Sequence, residues 1–223
     1  MTRGGHAAAM RLLLACGIAA PLLYVVADVI GALSYPGYRY AGQAISEMSA
    51  IGAPTAELLA PFYTGFSVLF VAFAAGVWFS AGTRRSLRWS AGFMIALAAL
   101  GIGWALFPMN ARGSERTFTD TMHLVLSAAS VLLLASAMAC GSAAFGRTFR
   151  IYSALSVITM LVFGYLTTLD VPRVDVGLPT PHLGINERLS MAAWLLWIAV
   201  LAIQLVRSSG NSQVVQSRRL ASP

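Results

Sequence analysis

Six stretches of this chain are predominantly apolar over 18 to 24 residues, and that limits what it can fold into more than any motif does. They run over 12–34, 58–81, 89–107, 121–144, 151–169 and 189–206. At about 1.5 Å of rise per helical residue, each reaches across roughly 30 Å of hydrocarbon. Inside a bilayer no water satisfies the peptide groups, so segments of this length must be helices. The composition agrees: 58% of residues are hydrophobic and 10% charged, where a soluble domain carries about 25% charged. The expected fold is an all-α membrane protein, a six-transmembrane-helix bundle forming one domain over 1–207, followed by a basic, disordered cytoplasmic tail over 208–223.

The first stretch follows Arg3 and Arg11 in the manner of a signal peptide. Its apolar run is too long for one, so it is read as a retained helix. All fifteen basic residues are arginine, and ten fall at the termini or in the short connections 82–88 and 145–150. Arginine-rich short loops stay in the cytoplasm, so both termini are expected inside, in a bacterial cytoplasmic membrane. The net charge of +7 therefore reports membrane orientation, and no nucleic-acid partner is expected. All eight acids then fall at the outer side or in the outer half of a helix. Cys16 and Cys140 both lie toward the inner half and read as small packing residues.

The outer connection 35–57, YPGYRYAGQAISEMSAIGAPTAE, is too specific for a plain linker. It is expected to be ordered, with a Pro-Gly turn, a second turn near Gly52 and Pro54, and a short helix between Ala41 and Ala50. Such a helix would place Gln43, Ser46 and Glu47 on one face. An ordinary interfacial loop with tyrosines at headgroup depth is the competing reading.

Asp28 lies about six residues inside the first helix, with Tyr24 one turn below it. A carboxylate at that depth costs several kcal/mol unless paired, hydrated or protonated. It reads either as a proton donor or acceptor in an outward-opening cavity, or as half of an interhelical bond. Asp120 and His123 open the fourth helix at i, i+3 spacing, where Asp120 serves equally well as a cap. The last outer loop brings His182 and Asn186-Glu187-Arg188, and the 107–116 loop brings Asn110, Arg112 and Arg116. Glu187 and Arg188 could pair across the bundle, hold an anionic headgroup, or act as a cap and a snorkelling arginine. Asp120, His123 and His182 would form a two-histidine, one-carboxylate set for zinc, but no tight metal motif accompanies them. No metal or other cofactor is expected, and zinc stays an open alternative.

Tyr35-Pro36-Gly37-Tyr38, Gln43-x-x-Ser46-Glu47, Gly52-Ala53-Pro54, Phe107-Pro108 and Gly184-Ile185-Asn186-Glu187-Arg188 together resemble one family. It is the bacterial and archaeal multi-pass membrane family catalogued as domain of unknown function 998. The resemblance spans the first helix to the sixth and implies a six-helix membrane protein without naming a reaction. Its pattern has a histidine where this chain has His123. It often has an acid near the position of Asn110, so this chain departs from it there.

The expected site is a polar pocket walled by the first, fourth and sixth helices and roofed by 35–57. Asp28, Glu47, Asp120, His123 and Glu187 are the candidate catalytic groups. Tyr24, Tyr35, Tyr38, Gln43, Ser46, Trp104, Arg112, Tyr165, His182 and Arg188 are the candidate substrate contacts. Acids in an aromatic, apolar setting suit acid–base chemistry on a hydrophobic lipid or isoprenoid, by proton-initiated cyclisation or isomerisation, or by hydrolysis with His123 as base. A proton-coupled transporter and a non-catalytic structural or sensory subunit are the alternatives. Membrane lipids and a hydrophobic small molecule are the expected partners.

Overall fold

A computed structural model of the protein describes the backbone of residues 3–220 and the side chains of 5–208. Within these residues six helical spans are long and apolar enough to cross a membrane. They are α1 (Arg3–Ser34), α2 (Ala56–Ser80), α3 (Arg85–Leu100) with the short α4 (Gly103–Leu106), α5 (Phe118–Ser142), α6 (Arg147–Leu169) with the short α7 (Val171–Asp175), and α8 (Leu183–Leu220). Among the described residues there is no strand.

Neighbours in sequence pack as neighbours in space, α1 on α2, α2 on α3, α3 on α5, α5 on α6 and α6 on α8, and α8 then closes the ring onto α1. Phe73, Met138, Met160, Trp197 and Leu201 are fully buried inside this ring, while Leu22, Val68, Leu132, Ile158 and Leu196 face outward. An inside-and-outside apolar bundle is what hydrocarbon surroundings allow. Small residues bring the helices together. A Cβ on Gly17 would lie 2.4 Å from the Phe73 ring, and one on Gly76 would lie 2.9 Å from Leu13, so α1 and α2 touch where side chains are missing. Buried hydroxyls tie other pairs: Ser90 donates to the Ala137 carbonyl at 2.7 Å, Ser190 to that of Met160 at 2.8 Å, and the Trp197 indole to Ser153 at 2.8 Å.

Several boundaries differ from the sequence reading. α1 starts at Arg3, not at 12, because the alanine-rich approach forms helix before the apolar run begins. The third span breaks at Gly101 and resumes at Gly103, where a Cβ would press on Leu126 at 3.0 Å. α8 starts at Leu183, six residues ahead of 189, because the polar Asn186-Glu187-Arg188 continue the helix. Between 41 and 50 only a 3-10 turn forms, Ser46–Ser49, instead of a longer helix. The backbone of α8 reaches Leu220, so the tail expected over 208–223 falls mostly where side chains are undescribed; 221–223 lie outside the described residues altogether.

Candidate functional site

At one end of the bundle the 35–55 segment folds down over α1, α2 and α8 as a cap. Its entry is a tight turn closed by the Tyr38 N–H on the Tyr35 carbonyl, with Gly37 at φ 76°. Proline before a left-handed glycine suits that turn. A second turn, from the Ala53 N–H to the Ala50 carbonyl, has Gly52 at φ 79°. Beneath the cap, Ala27, Ile45, Met48 and Leu59 form a small apolar core with Tyr24, Tyr35, Tyr38 and Tyr63 against it.

Two arginine–carboxylate pairs fasten this cap. Asp28, 7% exposed, receives Arg188 side-on: Nη2 reaches Oδ1 at 2.8 Å and Nε reaches Oδ2 at 3.1 Å. The Tyr40 hydroxyl donates to the same carboxylate at 2.7 Å. Arg188 Nη1 donates to the carbonyls of Tyr40, Gln43 and Gly184, and Nη2 to the Tyr38 hydroxyl. The guanidinium also lies over the Tyr40 ring, 3.6 Å from its centroid. Asp28 is thus the paired carboxylate of an interhelical bond, with an arginine 160 residues away.

Glu47, 4% exposed, is held in the same way by Arg112, with Nη2 2.6 Å from Oε1 and Nε 3.0 Å from Oε2. It also accepts the Ala44 N–H at 2.8 Å and the Gln43 amide at 3.1 Å, which ties the start of the 3-10 turn. Arg112 continues to the carbonyls of Leu178 and Gly42, so the 107–117 loop, the cap and the last loop meet on one guanidinium. Arg116 with Asp175, Thr180 with the Gly42 carbonyl, and Ile51 with the Met109 carbonyl complete the seam. Removing one member of so enclosed a pair leaves a desolvated charge, a loss of about 3–5 kcal/mol.

Gly184 explains why the cap can sit this low. A Cβ there would meet the Tyr40 carbonyl at 2.3 Å and the Gln43 carbonyl at 2.4 Å. Those two carbonyls accept from Arg188, and the Ala41 carbonyl accepts the Ile185 N–H at the start of α8. Burial pushes the Tyr38 hydroxyl well above its usual value, although Arg188 opposes this. Burial, and then the bond to Asp28, raise that of Tyr40. Both phenols therefore remain protonated donors.

Glu187, half-buried, is the exception among the acids beneath the cap. Its Oε2 accepts the Ile45 N–H at 2.5 Å, yet no arginine pairs with it among the described residues. Tyr24 and Tyr63 lie within electrostatic range of both Glu187 and Asp28, and neither hydroxyl has a hydrogen-bond partner among the described residues. Their rings are 6.0 Å apart, and Phe66 packs edge-on against Tyr24 at 5.3 Å and against Trp194 at 6.0 Å.

The other sequence candidates stand apart. Asp120 closes a capping box with Thr117, and both its oxygens are taken by Asn110 and Thr117. An acid in place of Asn110 would face that carboxylate. His123 sets Nδ1 3.0 Å from the Phe107 carbonyl and its ring edge-on to Trp104 at 4.7 Å. These two belong to a cluster of α4 and α5 and not to the capped site. His182 is exposed on the turn before α8, Tyr165 is 65% exposed on the flank of α6, and the Ser46 hydroxyl makes no bond among the described residues. No three His, Cys, Asp or Glu side chains among the described residues gather as metal ligands, so Asp120, His123 and His182 do not form the zinc set weighed above. The sequence reading passed over Tyr63, had Gly184 only as part of a family motif, and had Tyr40 only among the tyrosines of the outer loop. Tyr40 had one visible signal, as the third tyrosine of 35–40 close to an acid in need of a donor.

The family model described as "Protein of unknown function (DUF998)" matches residues 18–204. The chain belongs to this family. The matched span contains the whole cap, both arginine clamps and Glu187, so the DUF998 region coincides with the capped bundle. Comparison with curated proteins and with solved structures gives no match.

Proposed function

We propose that this DUF998 protein is a membrane-embedded acid–base enzyme acting on a hydrophobic lipid or isoprenoid, with Glu187 as its working acid. One observation carries the reading: of the three acids gathered beneath the cap, Asp28 and Glu47 are committed to arginines, and Glu187 is not. A carboxyl group one turn inside a span, with a single peptide N–H for company, is either a structural liability or a reacting group. Tyr24 and Tyr63 lie within electrostatic range of it, and Phe66 and Trp194 extend their aromatic cluster, offering ring faces suited to a developing positive charge. Glu187 would add a proton to an alkene or epoxide, and the carboxylate so formed would take a proton back from the rearranged product.

We place the capped end outside a bacterial inner membrane and both termini inside. The gathering of ten of the fifteen arginines on the termini and the connections 82–88 and 145–150 supports this. A structural subunit is the second reading, favoured by the two clamps alone. It leaves Glu187 unexplained.

The discriminating experiment is Glu187→Gln, which keeps an oxygen for the Ile45 N–H while removing the acid. Lipid extracts of cells expressing either form are compared by mass spectrometry. Loss of a wild-type-dependent species, at equal amounts of folded protein, is the expected result. Identical extracts from wild type, Glu187→Gln and cells lacking the protein would overturn the enzyme.

A further inference from the structure

The end of the bundle opposite the cap carries a second surface that the acid–base reading does not use. The α2–α3 and α5–α6 connections meet there, since the Arg84 guanidinium lies 6.0 Å over the Phe145 ring. Arg84, Arg85, Arg88, Arg147 and Arg150 are all exposed on this surface. None of the eight acids of the chain lies in either connection or in the helix ends flanking them.

Two of these arginines are partly occupied. Arg84 donates to the Ser80 carbonyl at 3.1 Å and Arg88 to that of Gly82 at 2.8 Å, which steadies the end of α2 and leaves their remaining N–H groups outward. The guanidiniums of Arg85, Arg147 and Arg150 have no hydrogen bond or ion pair among the described residues. The first turns of α3 and α6 open on the same surface without a side-chain cap, adding peptide N–H groups to the arginines. Trp78, Phe79 and Trp89 are exposed beside them, 40%, 66% and 65% respectively. Aromatic side chains in that position mark headgroup depth.

We propose that this surface is a seat for anionic phospholipid headgroups, with Arg85, Arg147 and Arg150 as its uncommitted phosphate ligands and Arg84 and Arg88 as its rim. Charge complementarity and depth together select the occupant. Five guanidiniums without a counter-charge, level with an aromatic belt, match the phosphate layer of a bilayer in both charge and depth. The seat is independent of any chemistry at Glu187.

The test uses the full chain purified in detergent and mixed with phosphatidylglycerol or phosphatidylcholine, with bound lipid counted by native mass spectrometry and thermal unfolding followed in parallel. Wild type is expected to retain phosphatidylglycerol preferentially and to lose that preference in about 1 M salt. Each arginine removed should weaken retention about fivefold, and Arg85→Gln with Arg147→Gln and Arg150→Gln together by roughly a hundredfold. Arg147→Gln alone gives the single-site step if the triple variant folds poorly, and Arg39→Gln in the cap should leave the preference intact. Equal retention of the two lipids by wild type, or undiminished preference in Arg147→Gln and the triple variant, would overturn the seat. Stabilisation by millimolar inorganic phosphate equal to that by phosphatidylglycerol would overturn the lipid as its ligand.

Discussion

Arg188 has more partners than any other side chain in the capped end, and its removal and the removal of Asp28 should not be equivalent. Asp28→Asn keeps an acceptor but leaves the guanidinium without its counter-charge, 12% exposed. A loss of about 3–5 kcal/mol in unfolding free energy is expected in detergent. Adding Arg188→Gln removes the orphaned charge, so the double variant should be more stable than the sum of the single losses by about 1–3 kcal/mol. Strict additivity would mean that the two residues do not act as a pair. The sequence exposed Asp28 as an ionisable group too deep to ignore, and Glu187 and Arg188 as charges at the mouth of the last helix. It could not reveal which acid the arginine chose, because that depends on a contact across 160 residues that no local spacing encodes.

The cap is an element built from two turns and one 3-10 turn, and the glycine inside it and the glycine of α8 beneath it make different demands. Gly37 lies in open space at φ 76°, so Gly37→Ala meets only backbone strain, about 1–2 kcal/mol. Gly184→Ala places a Cβ 2.3 Å from a carbonyl that Arg188 needs, so the cap must lift from α8. Limited proteolysis should therefore cut 39–44 in Gly184→Ala far faster than in Gly37→Ala; equal rates would contradict the docking. Alkali provides a milder probe of the same contact. The Tyr40 hydroxyl is raised above its usual value of 10.0 by burial and by Asp28, so its protonated form is the one the fold favours. Its stabilising contribution is complete below pH 10 and fades as pH rises through the elevated value. Tyr40→Phe should then be less stable than wild type at pH 8, with the gap narrowing above pH 10 in thermal unfolding. The turns at Gly37 and Gly52 were legible from proline and glycine alone. The helix expected over 41–50 was not realised, because the Glu47 carboxylate takes the Ala44 N–H and Arg112, and so ties the chain into a tighter turn.

For the whole molecule, the count of spans followed from hydropathy, since the bilayer thickness sets one length for every helix. The closure of the ring did not, because every span is apolar on all sides and carries little directional information. What the chain does encode at this scale is a separation of charge: acids and tyrosines under the cap, uncompensated arginines at the far end. That separation predicts a sidedness that chemistry can read. In a form with Cys16 and Cys140 replaced by alanine, one new cysteine is placed at Glu115 or at Thr83, both exposed. An impermeant maleimide added to intact cells should label the Glu115 position, in the connection sewn to the cap. The Thr83 position, beside Arg84 and Arg85, should react only once the membrane is opened. The reverse pattern would put the cap in the cytoplasm, and Glu187 would then meet substrate from the inner leaflet. The arginine surface would face the outer one, against the retention of basic loops that governs membrane insertion.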